Sequence, residues 1–313
     1  MSLPFVFQDR CAKSNARHRR FAVDLSSARS LDWKGQFLSM GDAMNPNKAL
    51  WEKGDFTRIA ATMRESGNAL VESIGVKSRM DVIDIGCGDG TTAVPAAQRG
   101  ANVLGVDIAA NLVAAGNARA AAAGLNNLRF QEGCASDLRE IADSSFDLTV
   151  SIFGAMFAPR PFDVAKEMVR VTRSGGRIVM GNWIPGDPTL IAQVLKTSAA
   201  YTPPPPEGFI SPVTWGVEDR VRERFGAAGV PTEMIVCERA TYVFRSPSPP
   251  RELFSTFKQF YGPTMNAFEA ASRDGRADQL AAELSQLFEK YNLAGADRTE
   301  IPATFLKVTV TKP

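Results

Sequence analysis

A glycine-rich turn between a buried strand and a helix constrains the fold of this chain more than any other feature. The segment Val82–Ile85 (VIDI) is short and mainly apolar, and it leads directly into GCGDGT at Gly86–Thr91. Glycines adopt backbone conformations closed to other residues and let the backbone approach a ligand closely. The first turn of the following helix presents N–H groups without intrahelical partners. The turn therefore predicts a ligand site at the carboxyl end of a strand.

Strands and helices alternate around this turn. Helical spacing predicts helices over Thr91–Arg99, Ala109–Ala123 and Phe162–Val171. Apolar or extended segments predict seven strands, over Asp81–Ile85, Asn102–Val106, Leu128–Gln131, Phe146–Ile152, Arg177–Met180, Glu233–Phe244 and Ala303–Thr311. Alternation of this kind builds βαβ units with helices on both faces of a parallel sheet. The predicted fold is α/β, a Rossmann-like, doubly wound, mostly parallel seven-stranded sheet with helical insertions.

The segments outside this alternation are mainly helical. Helical spacing covers residues 46–74, where Gly54 and Asp55 are expected to divide the helix and Asp55 to cap its second piece. Further helices are predicted over Thr189–Ala200, Trp215–Ala228, Arg251–Tyr261 and Gln279–Tyr291, with Gly262-Pro263 as an interruption. Residues 40–313 are expected to form one domain, with a cofactor-binding core over 80–183 and substrate-side segments over 40–75, 184–214 and 247–300.

Residues 1–39 differ from the rest of the chain in charge and pattern. They hold seven basic and three acidic residues, so the remainder carries a net charge of −2 although the whole chain has +2. Their apolar residues recur at neither the helical nor the strand spacing, and this favours a poorly ordered basic extension. Three alternatives remain. Arg17–Arg20 could contact nucleic acid or a membrane surface, the segment could be a mitochondrial transit peptide, or the natural start could be Met40 or Met44.

Composition and single residue types exclude several classes of protein. The chain is 44% hydrophobic and 22% charged, as in ordinary globular proteins, and no apolar stretch of about 18 residues predicts a membrane span. The single histidine, His18, argues against multi-histidine metal sites and against Ser-His-Asp or Cys-His catalysis in the body of the chain. Scattered cysteines without a CxxC pair favour a cytoplasmic protein without a metal site.

The residues around the glycine-rich turn indicate which ligand it binds. Asp107 ends the next strand, 21 residues after Gly86, where an acid is placed to accept both hydroxyls of a ribose. A dinucleotide-binding turn needs a glycine at the position of Thr91, and the carboxylates of Asp84 and Asp89 disfavour a pyrophosphate. The same carboxylates suit a cationic ligand that carries an amine and a sulfonium.

These segments resemble the class I S-adenosylmethionine-dependent methyltransferases. DVIDIGCGDG at Asp81–Gly90 is similar to the first motif of that family, Val103–Ile108 to the second and Leu128–Leu138 to the third. FDLTVSIFGAMFAP from Phe146 and RVTRSGGRIVM from Arg170 resemble the later motifs. The similarity covers residues 81–183, and within the class it indicates the small-molecule branch that includes menaquinone and ubiquinone biosynthesis methyltransferases.

The resemblance implies S-adenosyl-L-methionine as the cofactor and S-adenosyl-L-homocysteine as the product. Asp84 and the Gly86–Gly90 backbone are implied to hold the methionine part, and Asp107 the ribose. Ile108 is implied to pack on the adenine, while Ser151 and Phe153 lie near the sulfonium and the substrate. The cofactor-binding residues implied in this way are Asp84, Gly86, Cys87, Gly88, Gly90, Asp107, Ile108, Cys134, Ala135, Ser151 and Phe153.

The chain departs from the family pattern at two positions. The family commonly has E-G-D-A where this chain has EGCA at Glu132–Ala135, so a carboxylate that would accept from the adenine amino group is replaced by the Cys134 thiol. A thiol is a poor acceptor, and we expect cofactor affinity to be lower by about 1–2 kcal/mol unless another acceptor substitutes. Ser174 stands where the family usually has proline, which alters only the rigidity of a turn.

The predicted function is in-line displacement of a methyl group from the cofactor to a small, partly apolar acceptor. Such transfer requires little beyond placement of the acceptor and exclusion of water. A base in this chain would be a carboxylate or a tyrosine, with Tyr201, Glu207 and Tyr261 as candidates. Otherwise the acceptor is already nucleophilic, as a thiolate, amine, phenolate or activated carbon is.

A small-molecule acceptor is favoured over a nucleic acid. The fourth strand continues as Ser151–Gly154 and lacks the Asn/Asp-Pro-Pro-aromatic sequence that holds a flipped base, and the body of the chain is net acidic. Phe153, Met156, Phe157 and Trp183 are the predicted wall of the acceptor pocket. A nucleotide-dependent oxidoreductase and a module that binds the cofactor without turnover are the alternatives.

Overall fold

The computed structural model describes residues Asn47–Pro313 and the backbone of two short strands, Ser30–Leu31 and Phe37–Leu38, which pair antiparallel. The chain divides between Met44 and Asn45, and the second unit contains the α/β domain. The extension predicted over residues 1–39 lies outside the described residues apart from these two strands, and the predicted start of the domain at residue 40 lies outside them too.

Seven strands form one sheet whose strand order reverses in the middle. They are β1 Asp81–Ile85, β2 Asn102–Asp107, β3 Leu128–Glu132, β4 Phe146–Ile152, β5 Thr172–Trp183, β6 Ile235–Ser246 and β7 Thr299–Thr311. Their order is β3-β2-β1-β4-β5-β7-β6; β7 runs antiparallel to β5 and β6, and the other pairs are parallel. The predicted mostly parallel, seven-stranded α/β fold is confirmed.

The burial of each strand explains its sequence pattern. β1 lies between β2 and β4, where Ile83 pairs with Leu104 and Thr149, and the last four residues of the strand are buried. A strand covered on both faces is almost continuously apolar. Along β7, buried residues alternate with half-buried ones, but the buried set changes from odd to even positions at Phe305 and Leu306, which are both buried. Because successive side chains of a strand point to opposite faces, the first half of β7 is covered on one face and the second half on the other.

Helices cover both sides of the sheet. They are α1 Lys48–Lys53, α2 Thr57–Ala61, α3 Arg64–Ser73, α4 Ala93–Gln98, α5 Ala110–Ala122, α6 Pro161–Val171, α7 Leu190–Ala199, α8 Glu218–Ala227, α9 Pro250–Phe260, α10 Gly262–Arg273 and α11 Ala277–Tyr291. Helices α7, α9, α10 and α11 pack against one another. Within the described part of the chain, no helix is both long and apolar enough to cross a membrane.

The helical boundaries depart from the sequence predictions in two places. The predicted break at Gly54 is present, and Asp55 accepts a hydrogen bond from the Thr57 N–H at 3.2 Å, but a second break separates α2 from α3. The helix predicted before Gly262-Pro263 does end there, since α9 stops at Phe260, but a new helix that the sequence did not predict, α10, begins at Gly262. Proline fits the first turn of a helix, where its missing N–H would have no intrahelical acceptor.

Candidate functional site

A large cavity lies at the carboxyl ends of β1, β2 and β4, where the strand order reverses. Its empty space, counted to its open mouth, is about 920 Å³. Open α/β sheets bind their ligands at such a reversal, because the loops that follow neighbouring strands diverge there. The predicted residues that line it are Asp84, Gly86, Cys87, Gly88, Asp107, Ile108, Ala135, Phe153 and Phe157.

Two glycines of the turn lie close to different parts of the structure. Gly86 has φ +67°, and a Cβ on it would lie 2.7 Å from the Cα of Gly154, in the loop after β4. The two loops are therefore in backbone contact at the floor of the cavity. Gly90 lies outside the lining, where a Cβ would come within 2.7 Å of the Phe130 ring. The structure thus assigns Gly90 a packing contact beneath the turn.

Asp84 is a buried carboxyl at the wall of the cavity. It is 2% exposed, and its Oδ2 has no hydrogen-bond partner. Burial and the neighbouring Asp107 raise the pKa of Asp84 to about 8. A buried acceptor without a partner is costly, and a cationic group in the cavity would relieve this cost by pairing with the ionised form. The site therefore fits a ligand with an ammonium or sulfonium group.

Asp107 connects the end of β2 to the glycine-rich turn. Its Oδ2 accepts a hydrogen bond from the Gly88 N–H at 2.8 Å, and its Oδ1 accepts one from the Ala109 N–H at 3.0 Å. Burial raises the pKa of Asp107. A carboxylate has about four lone-pair positions, so these two backbone bonds leave positions for the two hydroxyls of a ribose.

Small and aliphatic residues line the side of the cavity next to Asp107. Ile108, Leu112, Gly133 and Ala135 form this apolar part, which suits the flat face of an adenine. Cys134 lies between two lining residues but is not part of the lining, and its Sγ is 3.2 Å from the Ser136 hydroxyl. The effect of Cys134 on cofactor affinity stays a prediction.

Asp89, in the middle of the turn, is held by two arginines. Its carboxylate pairs with Arg64 of α3, and its Oδ1 lies 3.7 Å from Nη1 of Arg119 in α5. Arg64 also donates to the Thr91 hydroxyl. These arginines balance the charge of Asp89, so Asp89 does not repel a pyrophosphate as the sequence suggested. Of the two carboxylates, only that of Asp84 still disfavours a pyrophosphate in the cavity.

Asp89→Asn should lower the free energy of unfolding by about 3 kcal/mol. Removing one partner of a buried ion pair leaves the others without compensation, and the Asp89 side chain is only 3% exposed. Asp163→Asn is the matched control, because the pair between Asp163 and Arg160 is about half exposed and is worth less than about 1 kcal/mol. Urea unfolding measures both, and equal losses would show that the pairs of Asp89 do not stabilise the turn.

Phe153 occupies a strained position directly after β4. Its φ is +64°, a left-handed conformation that non-glycine residues rarely adopt. The ring stacks on Trp183 at 3.7 Å between centroids and meets Tyr242 edge-on at 5.1 Å. Backbone strain of this kind costs about 1–3 kcal/mol and is often found at functional sites. Here it directs an aromatic side chain to the wall of the cavity.

The remaining predicted residues lie in different surroundings. Ser151 is buried outside the lining, and its hydroxyl accepts from the Ala155 N–H at 3.0 Å. Met156 is also buried outside it. Tyr201 donates to Glu283 Oε1 at 2.8 Å, and Glu207 is exposed, so the structure brings neither to the cavity. Trp183 and Tyr261 line a second, smaller cavity that shares a wall with the first.

Tyr242 of β6 is a lining residue that sequence reasoning missed. Its hydroxyl donates to the Met63 carbonyl at 3.3 Å, and burial raises its pKa, so the phenol stays protonated at neutral pH. No motif marks this residue. The only sequence signal is its position in the extended segment predicted over Glu233–Phe244, and pairing of β6 with β7 across the sheet brings it to the site.

Helix α1 provides another part of the wall through Trp51. None of its residues is buried, and polar contacts attach it to the core. Lys48 Nζ lies 2.7 Å from Glu132 Oε2 at the end of β3, and Glu52 Oε1 accepts from the Ala110 N–H at 3.0 Å. Glu132 of the EGCA segment thus holds the first helix over the cavity.

Comparison with known proteins identifies the family. The family described as a methyltransferase domain matches residues 83–180. An uncharacterized protein of Mycobacterium tuberculosis is 34% identical over 256 residues, which cover 81% of this chain and 91% of that protein. The chain belongs to the class I S-adenosylmethionine-dependent methyltransferases, in a group with this mycobacterial relative.

One further relative and one solved structure are also similar to this chain. A demethylmenaquinone methyltransferase of Paenarthrobacter aurescens is 32% identical over 114 residues, which cover 36% of this chain and 43% of that protein. The crystal structure of the YcgJ protein of Bacillus subtilis matches with a TM-score of 0.51 and 17% identity, over 80% of this chain and 99% of that chain. The second similarity concerns the fold alone.

Proposed function

We propose that this protein transfers a methyl group from S-adenosylmethionine to a small, partly apolar acceptor. The observation that carries the proposal is the pair of buried carboxyls on either side of the glycine-rich turn. Asp84 has an oxygen without a partner at the cavity wall, and Asp107 retains acceptor positions beside an apolar surface. The pair thus matches the cationic, ribose and adenine parts of one molecule.

Each part of the lining has a role in this proposal. Asp84 holds the cationic methionine part beside the backbone of Gly86 and Gly88, Asp107 accepts from the ribose, and Ile108 packs on the adenine. When bound, S-adenosylmethionine would supply an electrophilic methyl group to a nucleophilic atom of the acceptor, and the electrons of the broken carbon–sulfur bond would stay on sulfur. Aromatic residues, Phe153 among them, exclude water from the side where the acceptor would lie.

The acceptor is proposed to bring its own nucleophile. Tyr242 stays protonated, and Tyr201 and Glu207 lie away from the cavity, so these side chains do not provide a base beside the acceptor. An activated carbon, a phenolate, an amine or a thiolate reacts without one. The cytoplasmic location predicted from the cysteine pattern is part of the same proposal.

Isothermal titration tests the proposal directly. S-adenosylmethionine and S-adenosylhomocysteine are expected to bind the full chain in a one-to-one ratio, whereas NADH is expected to give no heat. Binding of NADH alone would favour the oxidoreductase alternative. Binding of S-adenosylhomocysteine with no methyl transfer from radiolabelled cofactor to any acceptor of a broad phenol, amine and thiol panel would favour the module without turnover.

A further inference from the structure

A second, smaller cavity adjoins the proposed cofactor cavity, and its empty space of about 330 Å³ includes open solvent at its mouth. Trp51, Phe56, Met63, Phe153 and Phe157 line both cavities, so they form one continuous wall. We call the second cavity the inner chamber. An acceptor in the inner chamber would therefore lie directly beside the cofactor.

The inner chamber is aromatic and uncharged. Eight of its eleven lining residues are aromatic, and the other three are Ile59, Met63 and Ile191. No lining side chain is ionised at neutral pH, so a charged group placed here would lose its hydration without gaining a partner. Aromatic walls favour flat rings, which pack in stacked or edge-on arrangements. The lining thus selects planar, uncharged molecules, and of the proposed nucleophiles an activated carbon or a neutral amine fits it, whereas a phenolate or a thiolate does not.

Tyr261, directly before α10, gives this lining its one phenol. The side chain is 5% exposed, and its hydroxyl makes no hydrogen bond within the described residues. Tyr201 and Tyr242, by contrast, donate to Glu283 and to the Met63 carbonyl. Because burial raises the pKa of Tyr261, its phenol stays protonated and is a hydrogen-bond donor at neutral pH.

We propose that the inner chamber binds the methyl acceptor, that the acceptor is a planar, uncharged aromatic molecule with a hydroxyl or carbonyl oxygen, and that Tyr261 donates a hydrogen bond to that oxygen. This inference rests on the proposed methyltransferase function. It assigns Tyr261, which the sequence suggested as a base, the opposite role of a donor.

Three probes of one shape test the selectivity of the chamber. We titrate 2-naphthol, naphthalene and 2-naphthalenesulfonate into the full chain at pH 7, with and without saturating S-adenosylhomocysteine. The expected order of affinity is 2-naphthol, then naphthalene, then the sulfonate, with at least about ten-fold between first and last. 2-Naphthol is expected to leave S-adenosylhomocysteine bound. Displacement of S-adenosylhomocysteine, or equal affinity for the sulfonate, would overturn the proposal.

Two variants locate the binding within the chamber. Tyr261→Phe removes only the hydroxyl, and it is expected to weaken 2-naphthol about three- to ten-fold while naphthalene changes less than about two-fold. Ile191→Phe fills the chamber and is expected to weaken both. The matched control, Tyr291→Phe, changes a half-buried tyrosine outside both cavities. Equal weakening of naphthol and naphthalene by Tyr261→Phe would overturn the role of Tyr261.

The cofactor titration separates this inference from the proposed function. Variants that bind S-adenosylhomocysteine like the wild type retain their fold, so a loss of naphthol binding in them concerns the chamber alone. If wild-type protein binds S-adenosylhomocysteine but none of the three probes, the inference fails and the methyltransferase proposal stands. If it binds 2-naphthol but not S-adenosylhomocysteine, the proposed function fails and the inner chamber is still confirmed as an aromatic site.

Discussion

Asp84→Asn is expected to stabilise the protein at pH 8 and to weaken its binding of S-adenosylhomocysteine. The pKa of Asp84 is about 8 in the fold, against an ordinary value of 3.8. Between these two pH values the folded state holds a proton that the unfolded state releases. Stability therefore falls as pH rises from about 4 to about 8, by up to about 1.4 kcal/mol per pH unit.

The amide that replaces the carboxyl in this variant does not titrate, so this part of the pH dependence should disappear. Urea unfolding at several pH values measures it, and the variant should be more stable than wild type by a few kcal/mol near pH 8. Asp278→Asn is the control, since Asp278 is an exposed residue of α11. If Asp84→Asn keeps the wild-type slope, Asp84 is not the group that loses its proton on unfolding.

The affinity for S-adenosylhomocysteine should rise with pH, whereas the stability of the fold falls. A cationic ligand selects the ionised form of Asp84, so wild-type affinity for S-adenosylhomocysteine should rise with pH and level off above about 8. The variant should bind about 10- to 100-fold more weakly without this rise, as expected for loss of a hydrogen bond to a charged group. 5′-Methylthioadenosine lacks the amino acid part and serves as the matched ligand. Equal weakening of both ligands would contradict the role assigned to Asp84.

Asp107→Ala is expected to lower the affinity for S-adenosylhomocysteine and for 5′-methylthioadenosine alike, by at least about 100-fold. Both ligands carry the ribose. The substitution removes the acceptor for the ribose and also frees the Gly88 and Ala109 N–H groups, which hold the turn against β2. Each buried donor left without a partner costs about 1–3 kcal/mol. Isothermal titration of both ligands measures the effect.

Asp107→Asn separates the loss of the ribose acceptor from the loss of the hydrogen bonds that hold the turn. The asparagine side chain has nearly the same volume as aspartate, and its amide oxygen can still accept a hydrogen bond. We expect it to bind both ligands with an affinity between those of the wild type and Asp107→Ala. Unchanged binding by Asp107→Ala would contradict the ribose assignment. Loss of methylthioadenosine binding in Asp107→Ala, together with its retention in Asp84→Asn, would confirm that the two carboxyls hold different parts of one ligand.

Local rules were sufficient for the central part of the fold and for much of the lining of the first cavity. The alternation of strands and helices predicted β1 to β4 closely because a strand covered on both faces is almost continuously apolar. The places of Asp84, Gly86 and Asp107 in the cavity lining were predictable, because each has a fixed position relative to the end of a strand. The missed start of α10 at Gly262 has a different origin, since a Gly-Pro pair is compatible with both a turn and a helix N-terminus.

The remaining features depend on contacts between distant segments. The charge of Asp89 is balanced by arginines from two helices, and Gly90 packs on Phe130 of β3, neither of which follows from the turn itself. Tyr242 reaches the cavity only because β6 pairs with β7.

The α/β class and the glycine-rich turn at the cavity follow from the sequence alone, because they depend on periodicity and on the backbone freedom of glycine over a few neighbouring residues. Which charges remain unpaired and which aromatic side chains meet depends on the tertiary structure. One carboxyl oxygen of Asp84 has no partner there, whereas Asp89 pairs with two arginines, and Trp51, Phe153 and Tyr261 come together from separate elements around one chamber. Burial and pairing depend on side chains that are distant in sequence and close in space, and no local pattern records them.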